Sequence, residues 1–208
     1  GFIEQVNSGA ATIPDNALLK ELQGLMDTTI QYGNDNPLTT DYNTQVTLFA
    51  SGQAAMLQQG NWVESMVYEI NPDLNMGILP MPINDGDASG KIVAGVPNNW
   101  AVNKNSPNLE AAKTFLNWMV SSEAGQRYMT EEFGFIPAFD NIATDKLSQT
   151  SQDIVAYSKE GKTIPMIWTS WPDGANKEFA SSMQQYSAGQ IGWDEVLNQM
   201  QASWNKLK

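Results

Sequence analysis

The chain has 208 residues, with 23 acidic side chains against 11 basic ones and a net charge of −12 at pH 7. That balance excludes a nucleic-acid surface, which needs a basic patch to meet phosphate, and it excludes an anionic membrane surface. The length allows one or two domains with a real core, and 41% apolar with only 16% charged residues argues against disorder.

The chain has neither Cys nor His. Thiol nucleophiles, Cys/His zinc sites and the commonest general base are therefore absent. No stretch approaches the ~20 apolar residues of a membrane span. The first residue is Gly1 rather than Met, and no stretch of the sequence reads as a signal peptide. A processed or truncated product is the expectation.

In chain order, residues 1–13 read as loop. Pro14, Asp15 and Asn16 then start a helix whose apolar stripe carries Leu18, Leu19, Leu22, Leu25, Met26 and Ile30, and Gly33 ends it. Residues 34–37 are a turn cluster and 38–45 a polar loop. In that loop Asp41 and Tyr42 are placed to reach a ligand or are simply solvated. A short amphipathic piece over 47–51 ends at Gly52, and Ala54–Leu57 reads as a small strand. Gly60 turns the chain, and Asn61, Trp62 and Glu64 open a helix that buries Val63, Met66, Val67 and Ile70. A large aromatic just past the C-terminal end of a strand stands where open α/β sheets make ligand contacts. Core packing is the alternative for Trp62.

Residues 75–81 read as a second strand. The loop 83–90 is rich in Gly and Asp but lacks the spacing and distal Glu of a calcium loop, so a surface loop suffices there. Residues 91–103 read as two extended pieces broken at Pro97. A helix over 107–120 follows, with Ala111, Ala112, Phe115, Leu116 and Met119 as its buried face, and a second over 123–132. Residues 142–160 read as a weakly amphipathic helix and 163–174 as a loop holding Trp168 and Trp171. Two final helices span 175–188 and 193–207. The fold class read from these elements is α/β and helix-rich, with a small mixed sheet from 54–58, 76–81 and 91–103.

Phe49, Gly52, Ala54, Ala55, Met56, Gly60 and Trp62 form the pattern F-x-x-G-x-A-A-M-x-x-x-G-x-W. It resembles the extracellular solute-binding proteins of bacterial ABC importers, in the sugar-binding family that includes maltose-binding protein. The likeness continues through Ser106, Asn108, Glu110, Ala111, Ala112, Phe115 and Leu116, and through Gly134 and Pro137. It implies a periplasmic-binding-protein-like lobe, incomplete relative to the two-lobed family fold. Residues 1–97 and 138–208 would belong to the C-terminal lobe, and 98–137 would be a crossing segment of the N-terminal one. As a free fragment the chain would expose the apolar face of the 107–120 helix and self-associate.

The resemblance implies a receptor for a sugar or oligosaccharide, delivering it to ABC permease subunits without a cofactor, metal or nucleic acid. Its place would be the extracellular face of a bacterial membrane, periplasmic or lipid-anchored. Trp62 and Trp171 would stack on sugar rings, with Trp168 as second choice in the same loop. Asn61, Glu64, Asn98, Asn99 and Asp173 would be polar partners for hydroxyls, and Trp100 a hinge or cleft residue. A flat indole over the C–H face of a pyranose, with amides and carboxylates at the rim, is sound chemistry for such a site. The alternative is a glycoside hydrolase using carboxylates such as Glu64 and Asp173, or another carbohydrate-active protein. A carbohydrate-binding module is a third reading, but those are generally β-sandwiches and this chain is helix-rich.

Overall fold

A computed structural model describes residues 1–96 and 99–208. The chain falls into two units. One comprises Gly1–Leu57, Met81–Gly90 and Met166–Lys208, the other Gln58–Pro80 and Lys91–Pro165. Among the described residues no helix is long and apolar enough to cross a membrane.

The first unit is helical. Helix α1 (Phe2–Ser8) occupies part of what reads as loop in the sequence. It is two turns long, too short for a clear period, yet Val6 is buried and Phe2 and Ile3 pack beside it. Helix α2 (Ala17–Tyr32) starts at the end of the expected opening 14–16, where the Asn16 side chain accepts the Leu19 N–H at 3.1 Å. Helix α3 (Tyr42–Ala50) begins five residues earlier than its apolar pattern suggests, because Asp41 caps it by accepting the Thr44 N–H at 2.8 Å. That bond holds the Asp41 carboxyl below the usual carboxylate range.

The core of this unit is built on the last helix of the chain. Val6, Ile13, Trp193, Val196, Leu197 and Trp204 form a buried cluster, onto which Leu19, Phe179 and Met183 pack. The polar ends of its two tryptophans are satisfied: Trp193 Nε1 donates to the Leu19 carbonyl and Trp204 Nε1 to Asn7 Oδ1, both at 2.9 Å.

In the second unit, helix α4 (Glu64–Ile70) follows a 3-10 turn at Asn61–Val63. The sheet is two parallel strands, β1 (Ile92–Val93) and β2 (Thr163–Ile164), with Ile92 opposite Thr163. The expected strands at 54–58 and 76–81 are irregular chain without a ladder. The N–H groups of Gln53 and Ala54 turn back onto the Leu48 carbonyl, at 2.9 and 3.1 Å, closing the end of α3. The Ile78 N–H donates to Asp153 Oδ2 at 3.1 Å instead of to a neighbouring strand. Among the described residues of 91–103, only Ile92 and Val93 pair, and the expected break at Pro97 lies outside the described residues.

Helix α5 (Leu109–Ser121) packs its end against α6 (Glu123–Arg127), which runs into a π-helical turn at Tyr128–Glu132. The approach is close: a Cβ on Gly125 would lie 2.5 Å from the Trp118 carbonyl oxygen. Helix α7 (Gln149–Lys159) is shorter than its expected span, since Ser148 caps it and Ile142 and Leu147 are buried in the preceding irregular chain. The first unit closes with α8 (Ala175–Ser187) and α9 (Trp193–Leu207), which lie within the spans read from the sequence.

Some helix faces differ from the sequence reading: Ile70 at the end of α4 is 46% exposed, and Ala111 on α5 is exposed. On α5 Met119 is buried, but Phe115 is 55% exposed. Phe115 belongs instead to a chain of ring contacts, Trp100–Phe115–Trp118–Tyr128–Phe133–Phe135, with centroids 5.6–6.4 Å apart. Every ring in that arc is at least 37% exposed.

Candidate functional site

The candidate residues fall on both units. Asn61, Trp62, Glu64, Asn99 and Trp100 lie in the second, Trp168, Trp171 and Asp173 in the first. Asn98 lies outside the described residues.

Around Trp62 the local geometry is tight. Gly60 has φ −114° and ψ 176°, and its carbonyl accepts the Val63 N–H at 3.2 Å, which closes the 3-10 turn. The six-membered ring of Trp62 folds back over Gly60, so that any Cβ there would overlap it. The indole N–H donates to Gln59 Oε1 at 3.2 Å. The side chain nonetheless remains 55% exposed, which leaves an indole surface open to a ligand.

Beside it, Asn61 Nδ2 donates to Ser151 Oγ at 3.3 Å, and Ser151 is fully buried near the start of α7. Glu64 Oε1 is buried and has no hydrogen-bond partner among the described residues, and the same holds for Thr150 Oγ1. Burial raises the Tyr68 hydroxyl above its ordinary value, and the nearby Glu64 carboxylate adds to that. Gln59 and Ser151 are absent from the sequence-derived set. A Gln before a Gly, and a hydroxyl far along the chain, carry no pattern that ties them to Trp62 or Asn61.

Trp100 stacks on Phe115 at 6.3 Å and is 49% exposed, and Asn99 beside it is also exposed. It is thus part of the aromatic arc rather than packed under a strand.

In the first unit, Trp171 is half-buried. Its ring lies 5.2 Å from Phe179 and 6.5 Å from Trp204, so it extends the core cluster. Trp168, in a 3-10 turn at Ile167–Ser170, is 40% exposed. Asp173 is exposed and precedes Gly174, which caps α8. Among the described residues no cluster of acidic side chains could hold a metal ion.

Comparison with known proteins gives four results. The chain is similar to the maltotriose-binding protein of Pyrococcus abyssi, 26% identical over 107 residues, covering 51% of this chain and 24% of that protein. It is similar to the melibiose/raffinose/stachyose-binding protein MelE of Bacillus subtilis, 29% identical over 113 residues, covering 54% of this chain and 26% of that one. Its fold resembles the crystal structure of a putative binding protein of Bacillus subtilis, in an open conformation, with a TM-score of 0.74 at 21% identity. That likeness covers 98% of this chain and 51% of the neighbour, so the chain spans about half the neighbour's length. Residues 2–126 match the description of the bacterial extracellular solute-binding proteins, and the chain belongs to that family.

Proposed function

We propose that this chain is part of the substrate-binding component of an ABC importer, taking a sugar or oligosaccharide and passing it to membrane permease subunits. The observation that carries the reading is Trp62. It lies within the family-matched residues, is more than half exposed, and stands beside Asn61 and Glu64. An exposed indole next to an amide and a carboxylate suits a pyranose, whose C–H face is apolar and whose rim is hydroxylated. Relatives named for maltotriose and for melibiose, raffinose and stachyose support a saccharide as the ligand class. Asn99, Trp100, Trp168, Trp171, Asp173 and Asn98 are further candidate contacts.

The place of action is then outside a bacterial cell membrane, in a periplasm or held at the surface by a lipid. Residues 98–137 are assigned to a crossing segment shared with a second lobe, and 1–97 and 138–208 to the C-terminal lobe. The exposed aromatic arc within 98–137 supports that assignment.

Isothermal calorimetry against maltotriose, melibiose, raffinose and stachyose tests the reading. Heat of binding to one of them, with the sugar recovered intact, is the expected result. No binding to any of the four, or release of shorter products from the oligosaccharides, overturns it.

A further inference from the structure

Gly60 sits at φ −114° and ψ 176°, extended backbone that any residue adopts without strain. Its lack of a side chain is therefore not demanded by the backbone. What demands it is space, because the Trp62 ring lies across the position a Cβ would take. The edge of the same ring is tied by its N–H to Gln59 Oε1 at 3.2 Å. The Gly60 carbonyl also closes the turn that carries Trp62, by accepting the Val63 N–H.

We propose that Gly60 and Gln59 are positioning residues that hold the Trp62 indole flat against the backbone with its other face presented to ligand. The proposal rests on the reading that Trp62 stacks on a sugar. The physical gain is preorganisation: a Trp side chain fixed before binding loses little rotamer freedom when the ligand arrives. A methyl group at position 60 swings the ring off this seat, and without the Gln59 carbonyl the ring is free to turn. Neither change touches the buried core, since Gln59 contributes only an exposed hydrogen bond.

The test uses protein labelled with 5-fluorotryptophan, in which the Trp62 resonance is identified by its loss in Trp62→Ala. Gly60→Ala is expected to shift that resonance while circular dichroism stays unchanged, and Gln59→Ala to shift it less. Affinity for maltotriose and raffinose is then measured for Gly60→Ala in the parent and in Trp62→Ala. Gly60→Ala is expected to weaken binding about three- to tenfold in the parent and to have no effect once Trp62 is gone. An unmoved Trp62 resonance in both Gly60→Ala and Gln59→Ala, or an equal loss of affinity in the two backgrounds, overturns the positioning role. A Trp62→Ala protein that binds as tightly as the parent overturns instead the stacking reading on which it rests.

Discussion

Trp62 and Trp171 sit in opposite environments. Trp62 is more than half exposed and touches Gly60 and Gln59, whereas Trp171 packs against Phe179 and Trp204 at the edge of a buried cluster. Substitution separates them. Trp171→Ala removes part of a packed aromatic group and is expected to cost about 2–4 kcal/mol of folding stability in urea titration. Trp62→Ala is expected to leave stability within about 0.5 kcal/mol, as surface changes do, and to cost about 1–3 kcal/mol of sugar binding by calorimetry. Tyr186, in the unit that holds Trp171, gives a pH signature. Burial raises the Tyr186 hydroxyl above its ordinary value, and its hydrogen bond to Asp27 Oδ1 adds to the shift. The folded state therefore prefers the protonated phenol. Its contribution is full below the ordinary tyrosine value of about 10 and is lost as pH rises through the higher folded value. Urea midpoints should fall between pH 9 and pH 11, and fall less in Tyr186→Phe. Equal slopes in the two proteins would show that Tyr186 is not the group responsible.

Among the elements, α9 carries the first unit, since Trp193, Val196, Leu197 and Trp204 all come from it. Leu197 is 1% exposed, and Leu197→Ala should destabilise by about 2–5 kcal/mol. At the other end of the same packing, Asn16→Ala removes the cap of α2 and should cost about 1 kcal/mol, read from the same titration. Both elements are legible in the sequence, because an apolar stripe at helical spacing and a capping residue are local signals. The strands are not. Ala54–Leu57 and residues 76–81 have apolar runs, but a strand exists only when another chain segment offers a ladder. Here the Ala54 N–H goes to the Leu48 carbonyl and the Ile78 N–H to the Asp153 carboxylate instead. Conversely β2 is two residues inside a segment that reads as loop, and only its partner Ile92–Val93 defines it. The same limit applies to candidate ligand contacts. Trp62 is conspicuous by residue type and by its place after a Gly, but the space requirement that ties Gly60 to it comes only from coordinates. Phe115 reads as the inward face of α5 because periodicity reports a stripe, not what covers it.

At the scale of the whole molecule, the aromatic arc from Trp100 to Phe135 is the feature with the clearest consequence in solution. Six rings, each 37–55% exposed, leave roughly 500 Å² of aromatic surface open to water. That is near the upper range for the largest apolar patch of a typical monomer, about 300–600 Å², and more than half of the ~800 Å² that one partner contributes to a standard interface. The chain is therefore expected to self-associate through this face. The net charge of −12 opposes it, because two like-charged copies repel and salt screens that repulsion. Association driven by the arc should strengthen between 20 mM and 500 mM sodium chloride, whereas association through ion pairs would weaken. Sedimentation velocity at the two salt concentrations reads the sign directly. Replacing Phe115 and Trp118 together by Glu should abolish the association and most binding of an apolar dye. Linking the chain to a second lobe that covers residues 98–137 should have the same effect while leaving the arc intact. A monomer at high protein concentration in both salts, with no dye bound, would show that the arc does not drive self-association.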